Sequence, residues 1–77
     1  MDISVADMAS FGQAIRKARK NRAALGQVEA ARLIGVSPPV LNKLEQGKEV
    51  WLSKALEICA GLGIEVILRL PENGTSS

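Results

Sequence analysis

The sequence predicts a mainly α-helical domain of four or five helices followed by a single C-terminal β-strand. At 77 residues, 47% hydrophobic and 23% charged, the chain has globular composition and room for one domain only. Apolar residues recur at three- and four-residue spacing in four segments, each bounded by glycine, serine or proline. One further segment, near the C-terminus, alternates with period two instead. A chain of this size hides only about 60% of the surface its extended form exposes, so self-association is expected to make up the difference.

The first helix is expected over 11–22, where Ser10 and Gln13 make a capping-box pattern and Phe11, Ala14, Ile15 and Ala18 share a face. Residues 1–10 form an N-terminal extension. Asp7 offers a second cap there, and Ile3 and Val5 alternate, so either an extra turn or a short strand is open. After a connection over 23–26, Gly26 stands at the cap of a second helix, 27–34. Gly35 provides the left-handed residue that closes it, Val36 an apolar plug, and Ser37 a cap for a third helix whose first turn tolerates Pro38. That helix, 38–46, carries Leu41 and Leu44 on one face and stops at Gly47. A linker through Lys48, Glu49 and Val50 leads to a fourth helix, with Leu52, Ala55, Leu56, Cys59 and Ala60 expected to line one side before Gly61 and Gly63. Trp51, the only tryptophan, is expected to pack into the core rather than face a partner.

In the last ordered segment Ile64, Val66, Leu68 and Leu70 alternate with Glu65, Ile67 and Arg69, ending at Pro71. A strand needs a hydrogen-bonded neighbour, and Ile3 to Val5 is at best a weak one. The same strand of another copy is therefore the expected mate, giving a homodimer joined through Ile64, Val66, Ile67, Leu68 and Leu70 over 64–70. Residues 71–77 are expected to be a flexible tail.

Composition removes whole classes of activity. Histidine is absent, so no imidazole exists for a triad, a proton shuttle or a metal shell, and the lone Cys59 has no activating neighbour in sequence. A non-enzyme with no cofactor, no metal and no small-molecule substrate is expected, with Cys59 a buried helix residue. Met1-Asp2 begins no basic and apolar leader, and no apolar run approaches spanning length, which leads to the expectation of a cytoplasmic protein with no membrane partner.

The net charge of +2 is unevenly spread. Between 11 and 43, Arg16, Lys17, Arg19, Lys20, Arg22, Arg32 and Lys43 face Glu29 alone, seven against one, a local +6. Positive charge so gathered suits a polyanion. The same stretch holds the most informative spacing. Two short helices crossing steeply need a small residue at closest approach, Ala31, a turn glycine four residues on, Gly35, and an apolar residue after it, Val36. Leu41 and Leu44 then point back to the core while the residues between them face outward. Together these positions within 27–47 describe a helix-turn-helix.

Over 11–63 the sequence resembles the Xre/Cro-type helix-turn-helix repressors, and the extension Leu62-Gly63-Ile64-Glu65-Val66-Ile67-Leu68-Arg69 resembles the HipB-like antitoxins among them. The resemblance implies a lambda-repressor-like bundle over 11–63 and a dimer whose C-terminal strands pair. It implies binding of double-stranded DNA at a palindromic operator, autorepression, and a HipA-like kinase toxin as partner. It also implies that Gln27 contacts a phosphate or braces a base reader, and that Arg19 pairs with Glu45. A guanidinium across from a carboxylate at a helix seam fixes orientation.

Three departures from the family pattern stand out. Gly26 replaces the usual serine or threonine cap, the stretch between Ile15 and Gln27 is one residue longer than usual, and Pro38 and Pro39 occupy positions where polar base readers are common. Prolines donate no hydrogen bond, so Pro38, Pro39 and Val40 are left to touch thymine methyl groups, with Ser37 at the helix start. Polar readout is expected from Asn42 and Lys43, and phosphate contacts from Gln27, Arg32, Lys43 and Lys48. Two alternatives remain: a stand-alone phage-type or metabolic repressor without a toxin, and an interaction module that has lost DNA binding.

Overall fold

The computed structural model describes residues 1–23 and 25–72. Four helices follow in order, α1 (Met8–Ala23), α2 (Gln27–Ile34), α3 (Pro38–Glu45) and α4 (Leu52–Gly61). α3 is the hub, packing against α1, α2 and α4, while α2 also lies on α4.

α1 starts three residues earlier than the Ser10 pattern predicts, because Asp7 is the cap. The Ser10 backbone N–H donates to Asp7 Oδ1 at 2.8 Å, and the Asp7 N–H donates back to Ser10 Oγ at 3.3 Å. This is a reciprocal capping box with serine in the usual glutamate place. The Ser10 N–H and hydroxyl both stabilise the ionised Asp7 carboxyl and hold it below its usual range.

The α2–α3 turn follows the expected chemistry. Gly35 takes φ +97°, and the N–H groups of Gly35 and Val36 both return to the Ala31 carbonyl, at 2.8 and 3.0 Å. Ser37 differs from expectation, since its side chain makes no capping bond. Pro38 and Pro39 have no N–H to offer, and the first available donor, Val40 N–H, is taken by the Ser37 carbonyl at 3.0 Å.

Ile15, Ala30, Ala31, Val36, Leu41, Leu44, Ala55, Ile58, Cys59 and Leu62 form the buried core. Ala31 and Leu41 are wholly inaccessible, as two short helices in close contact require. α1 reaches α3 at a glycine, Gly12, where a Cβ would lie 2.3 Å from the Leu44 carbonyl oxygen. At the other end of α1, Arg22 Nη1 donates to the Leu62 carbonyl at 3.2 Å, tying it to the end of α4.

Two expectations about the second half are corrected. α4 turns Ala55, Ile58, Cys59 and Leu62 inward, leaving Leu52, Leu56 and Ala60 on the exposed side. Its axis is set by contact with α2 and α3, and the apolar stripe at 55, 58, 59 and 62 is the one that meets them. Trp51 does not plug the core: it is 81% exposed at the position preceding α4, where its backbone carbonyl accepts from Lys54 and Ala55 while the indole points away.

Residues 64–70 form no ladder, and there is no strand among the described residues. Ile64 touches the core, whereas Val66, Ile67, Leu68 and Leu70 are all more than half exposed. Residues 1–6 likewise have no regular structure, so the Ile3–Val5 segment supplies no mate. The tail expected over 71–77 lies outside the described residues from 73 onward. No described helix is long and apolar enough to cross a membrane.

Candidate nucleic-acid interface

The exposed side of α3 is organised by a file of polar side chains that begins in the interior. Arg19 on α1 is 7% exposed, and its Nε and Nη2 donate to the two oxygens of Glu45 at 2.6 and 2.8 Å. Its Nη1 donates to the Leu25 carbonyl at 2.6 Å, so the guanidinium is satisfied on three sides. Glu45 also accepts from Gln27 Nε2 at 2.9 Å. Gln27 Oε1 in turn accepts from Asn42 Nδ2 at 3.0 Å, and Asn42 Oδ1 accepts from Gln46 Nε2.

Burial pushes the Glu45 carboxyl up, but the hydrogen bonds from Arg19 and Gln27 and the positive charges of Arg19 and Arg16 outweigh it, so its pKa lies below the ordinary value. An ionised carboxylate only accepts, and that fact orders the whole file. Gln27 must turn its NH2 to Glu45, which leaves its carbonyl for Asn42. Asn42 must then donate inward and turn its own carbonyl outward. The charge buried at Arg19 and Glu45 thus fixes the direction of two amides that have no other reason to prefer one flip.

Beside this file lies an open hollow lined by Gln27, Val28, Pro38, Pro39, Asn42, Lys43, Gln46 and Lys48. A second, on the α1 side, is lined by Arg16, Arg19, Gln27, Glu45 and Gln46. Of the residues read from sequence, Gln27, Pro38, Pro39, Asn42, Lys43 and Lys48 are thereby brought together on one surface. Ser37 and Arg32 are exposed but lie outside both hollows, and Val40 is half-buried against the core. Val40 therefore does not join this surface.

Gln46, Val28 and Arg16 belong to the two hollows and were not singled out from sequence as site residues. For Gln46 a signal existed, because it lies four residues beyond Asn42 on the same helical face. Val28 and Arg16 carried none: an exposed valine and one cation among five on α1 become neighbours of α3 only through the packing.

Cys59 stands apart from this surface. It is buried on α4, and burial raises its thiol pKa, so the neutral, unreactive form persists at physiological pH. Among the described residues no cluster of acidic, cysteine or histidine side chains is arranged to hold a metal ion.

No curated protein matches the chain. A helix-turn-helix family model does match, over residues 15–67, which takes in α2, the Gly35 turn, α3 and α4. With two short helices crossing at Ala31, an outward α3 and most of its length matched, the chain belongs to the Xre-type helix-turn-helix family of DNA-binding regulators.

Proposed function

We propose that this protein is a homodimeric, sequence-specific transcriptional repressor that lays α3 of each subunit in successive major grooves of a palindromic operator. The observation that supports it best is the polar file from Arg19 through Glu45 and Gln27 to Asn42. It holds an amide in one orientation on the outward side of α3, beside Lys43, which is the equipment base reading needs. Asn42 keeps one amide proton and one carbonyl lone pair free, enough for a bidentate contact with adenine. Gln27 acts as the brace and Gln46 as a second amide at the far end. Pro38 and Pro39 fit against thymine methyl groups. Lys43, Lys48 and Arg16 meet phosphates, while Arg32, outside the hollows, contributes only long-range attraction.

The subunits join through 64–70, whose exposed, unladdered Val66, Leu68 and Leu70 match what a strand awaiting its two-fold mate would present. That segment is also what favours the antitoxin reading, in which the repressor serves its own operon and neutralises a kinase-like toxin. A stand-alone repressor is the alternative reading, and a toxin gene beside this one separates the two.

Selection of binding sequences from a random duplex pool tests the DNA reading. A palindromic consensus is expected, bound at least 10³-fold more tightly than scrambled duplex at physiological salt. A protein bound to no duplex, or to all equally, is instead the interaction module.

A further inference from the structure

A single carboxylate stands at the inner end of the polar file, and the amides outward of it are ordered from that end. The Glu45 side chain is 3% exposed and lies behind α3, so it meets no base itself. It accepts from Arg19 and from Gln27 Nε2, Gln27 Oε1 accepts from Asn42 Nδ2, and Asn42 Oδ1 accepts from Gln46 Nε2. Three amides in succession thus aim nitrogen toward Glu45 and oxygen away from it. An amide has two ends of nearly equal size and opposite hydrogen-bonding sense, whereas a carboxylate has one sense only. Turning Gln27 or Asn42 alone would set oxygen against oxygen or NH2 against NH2 and leave half-buried groups unpaired.

We propose that Glu45 makes α3 favour an amino-bearing base over a keto-bearing one, by fixing through Gln27 which end of the Asn42 amide faces which atom of the base edge. The inference rests on the DNA reading above and names the chemistry that its central contact selects. Glu45 is a positioning residue in this scheme, acting through two amides on a base it does not touch.

Adenine and guanine give the sharpest comparison. Both present the N7 acceptor in the major groove, but beside it adenine carries the N6 amine and guanine the O6 carbonyl. Asn42 has its nitrogen toward Gln27 and its oxygen toward Gln46. Its remaining N–H on N7 and its oxygen on N6 make two bonds with adenine. Against guanine the same oxygen meets O6, and the two acceptors repel. Only a turned amide could offer N–H to O6, and the carboxylate behind Gln27 forbids the turn.

Glutamine at position 45 removes that prohibition and changes little else. It has the shape of glutamate, and its oxygen still accepts from Arg19. Its NH2 can donate to Gln27 Oε1 as readily as its oxygen can accept from Gln27 Nε2. The row can then run in either direction, and Gln46, exposed at its outer end, can follow. The amide at 42 is left free to adapt to whichever purine it meets.

The test uses the full chain and the duplex that selection from the random pool returns. The base pair that Asn42 meets is the one whose substitutions lose their penalty in Asn42→Ala. There the wild type is expected to bind adenine over guanine by about 10-fold or more, and Glu45→Gln to reduce that ratio to about threefold or less. Ratios at the other operator positions should stay as in wild type, which a general loss of stability or affinity would not produce. Glu57→Gln makes the same charge change on the exposed side of α4 and should keep the wild-type ratio. Amide direction is read separately, in the DNA-free chain, from nuclear Overhauser contacts of the side-chain NH2 protons. The Gln27 NH2 should contact Glu45 more strongly than Asn42 in wild type, and the two contacts should approach equality in Glu45→Gln. An unchanged purine ratio in folded Glu45→Gln, or an equal fall in Glu57→Gln, overturns the proposal and leaves α3 as the reader. Unchanged Gln27 contacts, or an operator with no position that depends on Asn42, overturn it as well. A pool that yields no preferred sequence ends the DNA reading itself and the proposal with it.

Discussion

Asn42 donates from Nδ2 to Gln27 Oε1 at 3.0 Å, so an amide on the outward side of α3 is held by a residue fifteen positions away on the preceding helix. Gln27 is held in its turn by Glu45, and Glu45 by Arg19. If α3 reads bases as proposed, its readout depends on side chains of α1 and α2 that lie behind it. Residues coupled in one hydrogen-bonded network are not independent under mutation.

Asn42→Ala and Gln27→Ala are expected each to lower operator affinity by about 1–3 kcal/mol while sparing scrambled duplex. Their double variant should lose less than the sum, with a coupling of roughly 0.5–3 kcal/mol. Fluorescence anisotropy on both duplexes, with thermal unfolding measured alongside, separates lost readout from lost fold. Strict additivity would show that Gln27 does not act through Asn42.

Arg19→Met is expected to destabilise the protein by about 3–5 kcal/mol, because it leaves the Glu45 carboxylate at a nearly dry helix seam without its charge partner. Arg19→Met with Glu45→Leu should recover much of that loss, since an apolar pair of similar size demands no solvation. Urea unfolding of the four chains of this cycle measures both effects. Recovery of stability need not restore operator binding, as Gln27 would no longer have an acceptor to orient it.

Asp7 and Glu45 both titrate below their usual values of 3.8 and 4.5 in the folded chain. On acidification the unfolded chain takes up these protons first, so their stabilisation is complete above the unfolded values and is lost as pH falls through the folded ones. The urea midpoint should accordingly decline below about pH 4.5. Glu45→Gln should start lower at neutral pH and decline less steeply. Asp7→Asn should alter the slope by a smaller amount, because its carboxyl is open to solvent. Parallel slopes for wild type and Glu45→Gln would assign the acid sensitivity to other groups.

Gly12→Ala and Gly26→Ser are expected to have opposite signs. At Gly12 a Cβ meets the Leu44 carbonyl at 2.3 Å and the Glu45 carbonyl at 2.8 Å, both backbone, so α1 must lift from α3 at a cost of about 1–3 kcal/mol or more. Gly26 precedes α2 with φ −72° and ψ 168°, has nothing within 4 Å of an added Cβ, and caps with no side chain. Serine there gains a capping oxygen and restricts the unfolded chain, worth about 0.5–1 kcal/mol. Thermal midpoints of the two variants should move apart, by about 4–8 °C for each kcal/mol.

Arg16→Ala should lower the slope of log affinity against log salt by about one unit on operator and scrambled duplex alike, while Lys17→Ala leaves it nearly unchanged. Both residues are exposed cations in adjacent positions, but only Arg16 borders the hollow shared with Gln27 and Gln46. Slopes unchanged from wild type for both variants would place α1 outside the interface.

Local sequence determined the helical spacing and the α2–α3 turn, both governed by short-range chemistry. Helical spacing located the four helices, the Gly35-Val36-Ser37 turn needed one left-handed residue and an apolar plug, and Ala31, Leu41 and Leu44 followed from two short helices meeting closely. Where local rules offered two answers, the fold chose between them. Asp7 and Ser10 were both plausible caps, and Asp7 prevailed with Ser10 as its reciprocal partner. α4 has apolar residues nearly all round, so only its contact with α2 and α3 decided that Ile58 and Leu62 go in and that Leu52, Leu56 and Trp51 stay out. The file linking Arg19, Glu45, Gln27 and Asn42 spans three helices, and no periodicity in a single segment encodes which amide faces which. Burial of one ion pair set that order, because a carboxylate with its lone pairs in the protein interior must be given donors, and the nearest ones belonged to helices distant in sequence.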